Sequence, residues 1–245
     1  MKQILVFACT LAAAATTAMG EADKAIPVVI ELFTSEGCSS CPPADRLLAQ
    51  LDKEQPVAGA HLIVLSEHVD YWNTLGWIDP YSSHEFSERQ RRYGSALRVD
   101  DVYTPQAVVD GRLEVVGNNS AKLQAAIQRA VKEKKIPLSL QVSRSGEKIH
   151  VELQTGEGVA SAVQLYLALA EDAVQSQVSA GENGGRMLAH TAVVRSLTQA
   201  GKFDSENRLT ADLKTSARWG KHLRVIAFLA EHDGGKIIGA AVAEI

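Results

Sequence analysis

The chain has 245 residues, with 25 Lys and Arg against 29 Asp and Glu, a net charge of −4, and 46% hydrophobic residues. This is a globular composition with mildly acidic, scattered charge, which argues against a nucleic acid or an anionic membrane surface as partner. Three cysteines are too few for the cross-linked framework of a small secreted fold.

The N-terminus reads as a leader. Lys2 supplies a positive charge, Ile4 to Ala15 is an apolar stretch too short to span a bilayer comfortably, and Ala18-Met19-Gly20 offers small residues for cleavage. This pattern predicts a signal peptide over residues 1–20 and a periplasmic or secreted protein. Cys9 leaves with it, so the mature chain keeps Cys38 and Cys41. No later segment reaches the roughly 18 apolar residues of a transmembrane helix.

Val28 to Thr34 is apolar and β-branched, as an internal strand should be, and Ser35-Glu36-Gly37 breaks it. Cys38-Ser39-Ser40-Cys41 follows, and Leu47, Leu48 and Leu51 then recur with helical spacing. A CxxC between strand and helix places a thiol where unpaired N–H groups and the helix dipole favour a thiolate. The pair closes a tiny loop, so stapling explains it poorly. A zinc site wants four ligands, and no second CxxC or His pair has the spacing.

His61 to Ser66 is a second buried strand, followed by Glu67-His68-Val69-Asp70-Tyr71-Trp72 and Trp77. These lie at the sheet edge that carries the CxxC, where ligand sites of open α/β sheets gather. His68, among the histidines His61, His68 and His84, is a candidate third ligand beside Cys38 and Cys41 for Cu(I); a hydrogen-bonded structural histidine is the alternative. Asp70 is a candidate proton acceptor for the buried thiol, and Glu36 a candidate modulator of Cys38, against the alternative of solvated loop acids. Trp72 and Trp77 either rim the cysteines or pack a loop onto the domain.

Ser82 and Glu85 stand at capping-box spacing, and Phe86, Tyr93 and Leu97 mark a helix. Arg89, Arg91 and Arg92 read as its solvated face. Ala107 to Gly111 and Leu113 to Val116 form a hairpin directly after Tyr103-Thr104-Pro105. Ser120 can cap a last helix whose apolar face is Leu123, Ile127, Ala130 and Val131.

A mature chain of about 225 residues permits two domains, and the pattern changes near Ile136-Pro137. Beyond it, Leu138/Leu140/Val142, Ile149/Val151/Leu153, Val163/Leu165/Leu167/Leu169, Leu223/Val225/Ala227/Leu229 and Ile237 to Val242 alternate as strands, with turns at Ser145-Gly146 and Asp233-Gly234-Gly235. This predicts an all-β sandwich of about seven strands over residues 138–245. Gly181 to Gly185 reads as a mobile loop tip, and His190 and His222 as structural residues.

Over residues 21–137 the order β-α-β-α-β-β-α, with a CxxC at the first βα turn, resembles the thioredoxin arrangement. The resemblance implies an α/β thioredoxin-like domain ahead of the sandwich. It also implies a cis bond at Thr104–Pro105, with these two residues holding a partner chain beside the cysteines. Ser39-Ser40 and the lack of a preceding tryptophan depart from thioredoxin, so its potential cannot be carried over. The motifs Phe33 to Asp45, His68 to Trp72 and Tyr103 to Gln106 resemble a family of secreted bacterial proteins catalogued as domain of unknown function 1223. The expected chemistry is thiol–disulfide exchange on protein thiols or disulfides, with Cys38 as nucleophile, Cys41 as resolving thiol and no cofactor beyond the redox pair. A Cu(I)-binding module and an interaction protein with an inert disulfide are the alternatives.

Overall fold

Long apolar runs become central strands here because both faces of the main sheet are covered. The computed structural model describes residues 25–245 apart from Glu157 and Asp233; the leader expected at residues 1–20 lies outside them. Strand β1 (Ile26–Thr34) is buried from Val28 onward, and β2 (Ala60–His68) pairs with it in parallel, Ile26 opposite Ala60 through Thr34 opposite His68. Helix α1 (Pro42–Glu54) connects them. Helix α2 (His84–Leu97) follows, then the hairpin β3 (Gln106–Val109) and β4 (Leu113–Val116), with β3 antiparallel to β1, and then helix α3 (Ser120–Ala130). The caps sit one residue off the expected positions. Ser83 rather than Ser82 caps α2 by accepting from Glu85 N, and Asn119 rather than Ser120 caps α3 by accepting from Lys122 N.

The remaining strands are β5 (Leu138–Ser145), β6 (Lys148–Thr155), β7 (Gln164–Glu171), β8 (Val174–Gln177), β9 (Met187–His190), β10 (Val193–Gln199), β11 (Arg208–Lys214), β12 (Leu223–Ala230) and β13 (Ile237–Glu244). Their pairing corrects the expected fold class. An α/β thioredoxin-like domain followed by an all-β sandwich is not what forms. The described chain is mostly β, and one mixed eight-stranded sheet runs β13-β12-β7-β10-β2-β1-β3-β4. The join is a parallel bridge, Val193 opposite Ser66, with Ser66 N donating to Ala192 O at 2.9 Å. Local periodicity specifies a strand and its faces but not which edge it joins; β10 joins β2 on the side away from β1.

Alternation along β7 divides its side chains between two cores. Leu165, Leu167 and Leu169 pack with Ile149, Val151 and Leu153 of the small sheet β11-β6-β5. Tyr166, Ala168 and Ala170 belong to the core that contains Val28, Ile30 and Leu48. Among the described residues, no helix is long and apolar enough to cross a membrane.

Arg89 corrects a second expectation. It is 1% exposed rather than solvated. Its Nε donates to Glu31 Oε1 at 2.5 Å, its Nη2 donates to Tyr93 OH at 2.9 Å, and Glu67 Oε1 lies 3.7 Å away. The guanidinium also sits over the rings of Tyr93, Tyr166 and Phe228 at 5.0, 5.2 and 5.3 Å, contacts favoured in a desolvated site. Burial, then the neighbouring Glu31, push Glu67 well above the usual carboxylate range. One cation thus stands against two buried glutamates.

Candidate functional site

The site forms where β1 ends and α1 begins. After Thr34 the chain turns through Ser35–Gly37, with Cys38 N donating to Ser35 O at 3.2 Å. A Cβ on Gly37 would lie 3.1 Å from Trp72 Cβ, so the turn and the Trp72 segment approach at a distance that suits glycine. Cys38 and Cys41 form a disulfide with Cα atoms 5.4 Å apart. Both are buried, whereas Ser39 and Ser40 between them are exposed.

Cys41 is the N-cap of α1. The helix terminus does not offer the donors expected of it. Its first two residues are Pro42 and Pro43, which have no N–H. The next two N–H groups, of Ala44 and Asp45, both turn to Cys41 O at 2.8 and 3.1 Å. The macrodipole remains, but the local hydrogen bonds that would hold a thiolate are already used.

The Thr104–Pro105 peptide bond is cis. This segment reaches the disulfide through Ser40, whose Oγ lies 3.3 Å from Cys38 Sγ and donates to Thr104 O at 3.4 Å. Trp72 Nε1 donates to Thr104 Oγ1 at 2.8 Å. Trp72 therefore touches both the Gly37 turn and the Thr104 segment.

The other expected site residues divide. Asp70 is not in the buried group beside the cysteines. It accepts from Ser87 Oγ and pairs with His84 Nδ1 at 3.1 Å, and the Ser87 and His84 hydrogen bonds outweigh burial and lower its pKa. His68 is fully buried, with Nδ1 2.7 Å from Asp79 Oδ2. Glu36 is buried too, not a solvated turn residue. It accepts from Trp77 Nε1 at 2.8 Å and from Ser176 Oγ, and lies 3.3 Å from His190 Nε2.

Four further participants come from places the sequence pattern did not mark. Asp45, on the buried face of α1, accepts from Thr34 Oγ1 at 2.8 Å. Asp79 accepts from Glu36 N at 2.8 Å as well as facing His68. His190, at the end of β9, brings its Nδ1 to 3.8 Å from Asp45 Oδ2. Asn183 is buried and donates from Nδ2 to Glu36 O at 2.8 Å and to Cys38 O at 2.9 Å. Beside it, Glu182 Oε2 accepts from Ser39 N at 3.0 Å. The segment expected to be a mobile loop tip is thus the cap over the disulfide, with Gly181 packed on Trp77. The only sequence signal was the run of turn residues at 181–185, which marks a loop but not what it lies on.

The sequence matches the family described as "Protein of unknown function (DUF1223)" over residues 29–230. Among solved structures, the X-ray structure of protein AGR_C_4864 from Agrobacterium tumefaciens is 29% identical. It has a TM-score of 0.66 and covers 89% of this chain and 94% of that one. A DUF3823 family protein from Bacteroides ovatus (11% identity, TM-score 0.29, 44% of this chain and 51% of that chain) is too distant to carry an argument. The same holds for the superoxide reductase of Ignicoccus hospitalis, at 13% identity and TM-score 0.24 over 46% of this chain and 82% of that chain. No curated protein matches the chain.

Proposed function

Because this chain belongs to the DUF1223 family of proteins of unknown function, its activity has to be read from its own site, and we propose thiol–disulfide exchange with protein cysteines outside the cytoplasm. The observation that carries this reading is the Cys38–Cys41 disulfide at the head of α1, with the Ser40 hydroxyl beside Cys38 and donating to the Thr104 carbonyl. A disulfide and the lack of a membrane-length helix among the described residues are compatible with a secreted protein.

In the oxidising direction, a substrate thiolate attacks Cys38 Sγ. The Cys38–Cys41 bond breaks and Cys41 Sγ leaves with the electron pair. The substrate's second thiolate then attacks its own sulfur in the mixed disulfide and expels Cys38 as thiolate. Two electrons pass from substrate dithiol to protein, and the reverse sequence reduces a substrate disulfide. Thr104 and Pro105 would hold the partner chain, and Trp72 holds Thr104.

The test is reactivation of scrambled ribonuclease and reduction of insulin, with Cys38→Ser and Cys41→Ser as controls. Wild type above both controls in either assay is the expected result. Wild type equal to them in both overturns the proposal in favour of an inert disulfide in an interaction protein.

A second reading, Cu(I) held by the reduced pair with His68, has one observation in its favour. His68 Nε2 is buried without a hydrogen-bond partner while Nδ1 faces a carboxylate, which is how a ligating imidazole is oriented. With the disulfide closed, no group of three or more His, Cys, Asp or Glu among the described residues is placed to hold a metal. The reduced protein should then compete with a chromogenic chelator for Cu(I), and failure to do so removes this reading.

A further inference from the structure

Between Val178 and Leu188 the chain runs over the surface as a strap, and Asn183 is the one residue of that stretch that is buried. The strap holds its own shape. Val178 N donates to Arg186 O at 3.0 Å, Gly185 N donates to Val178 O at 2.8 Å, and Arg186 Nη1 donates to Asn183 Oδ1 at 2.8 Å. It grips the redox turn by the backbone of that turn. Asn183 Nδ2 donates to Glu36 O and Cys38 O, and Glu182 Oε2 accepts from Ser39 N. These contacts touch neither sulfur. They depend on where the turn places one peptide N–H and two carbonyls.

Opening the disulfide has to move that turn. Bonded sulfurs stand closer than van der Waals contact allows, so breaking the bond drives the two atoms apart. Both cysteines are fully buried, and a close-packed interior has no spare room for the movement. Cys41 is the more firmly held of the two. It is the N-cap of α1, its carbonyl accepts from Ala44 N and Asp45 N, and Ala44 and Leu48 of that helix lie in the core. Cys38 sits in a turn whose next two residues, Ser39 and Ser40, are exposed. The displacement therefore falls on the Cys38–Ser40 turn, where the strap is attached.

We propose that the β8–β9 strap is a redox-linked latch, closed on the disulfide and released from the dithiol, which biases the pair toward giving its electrons to a substrate. The inference rests on the exchange reading above and adds a direction to it. The bonds from Asn183 and Glu182 are made with the disulfide closed, so they stabilise that form over the open one. A contact made in one of two states shifts the equilibrium toward that state, and the dependence is mutual. The closed disulfide tightens the latch, and the latch lowers the reduction potential of the pair. Asn183 and Glu182 are positioning residues: they supply no atom, electron or proton to the exchange.

The test equilibrates the full protein with mixtures of dithiothreitol and its cyclic disulfide at pH 7 and counts free thiols by alkylation. In this reaction dithiothreitol passes two electrons and two protons to the Cys38–Cys41 bond, which becomes two thiols, and itself closes to the cyclic disulfide. Asn183→Ala should raise the equilibrium constant for reduction at least tenfold, a potential about 30 mV higher. Glu182→Ala, at an exposed position, should raise it at least twofold. In wild type, a glutamyl endopeptidase should cut after Glu182 at least tenfold faster in the reduced protein than in the oxidised one. A folded Asn183→Ala protein with the wild-type constant overturns the proposal, and so does equal cleavage in the two redox states. If Asn183→Ala does not fold, an unmoved constant in Glu182→Ala overturns it equally. Failure of the exchange reading looks different: these shifts persist, but protein substrates are not turned over.

Discussion

Asn183 binds Cys38 across 145 positions of chain, its side-chain amide donating to the Cys38 carbonyl at 2.9 Å while also donating to Glu36 O at 2.8 Å. One amide thus pins the β8–β9 connection onto the redox turn, both of whose cysteines are fully buried. The proposed exchange needs the buried Cys38 to become accessible, and this connection is a segment tied directly to its backbone.

Asn183→Ala leaves two carbonyls without their donor at a cost of about 1–3 kcal/mol if they stay buried. Opening the cap relieves that cost, so the disulfide should become more accessible. The expected outcome is reduction by dithiothreitol at least tenfold faster at pH 7 than in wild type, with little change in far-ultraviolet circular dichroism. An unchanged rate would mean that the cap does not limit access.

Arg89 stands alone against Glu31 and Glu67 in a site with almost no exposure. Arg89→Ala should destabilise the protein by about 3–5 kcal/mol, as removal of one partner from a buried charge pair does. Arg89→Lys should recover only part of this, because an ammonium cannot reach Glu31 and Tyr93 while stacking over three rings. Urea midpoints measure both.

The His68–Asp79 pair predicts a pH dependence of stability. Burial lowers the His68 pKa, but Asp79 outweighs it and leaves it above the ordinary 6.5. Burial raises Asp79, but His68 and the hydrogen bonds from Glu36 N and Tyr81 N leave it below the ordinary 3.8. The His68 contribution is complete below its unfolded value and is lost as pH rises through its raised folded value. The Asp79 contribution is present above its unfolded value and is lost as pH falls through its depressed one. Both act together between roughly pH 4 and 6.5. Wild-type Tm should therefore fall more between pH 6 and 8 than that of Asp79→Asn, and equal slopes would refute the assignment.

Gly117 sits under the cis proline, and its N–H donates to Pro105 O at 2.9 Å. A Cβ there would lie 2.7 Å from Leu32 Cδ1 and 3.2 Å from Pro105 Cβ. Gly117→Ala should cost about 1–3 kcal/mol through overpacking and shift Pro105 against Ser40. The expected result is a lower urea midpoint together with slower turnover of scrambled ribonuclease.

The strands β1, β2, β3, β4, β5, β6, β7, β12 and β13 were legible because each is a continuous or alternating apolar run. Strands β8 and β9 were not, since Val174-Gln175-Ser176-Gln177 carries a single apolar residue and Met187-Leu188-Ala189-His190 shows no alternation of apolar and polar residues. Cys38, Cys41, Thr104 and Pro105 lie in local motifs and could be read one at a time. His190 and Asn183 could not, because their role depends on β10 joining β2, a pairing between residues 66 and 193. Arg89 did carry a signal. Phe86, Arg89, Gln90 and Tyr93 lie on one helical face and are all buried, so its spacing belonged to the core even though its charge suggested the surface.

The length of chain between Cys38 and its cap also sets an order of events in biosynthesis. Asn183 is made 145 residues after Cys38, a delay on the order of ten seconds at ordinary rates of translation. Throughout that interval the Glu36 and Cys38 carbonyls lack the Asn183 amide and Ser39 N lacks the Glu182 carboxylate, so the redox turn gains its last set of hydrogen bonds late, from a part of the chain that no local folding of residues 25–130 can supply.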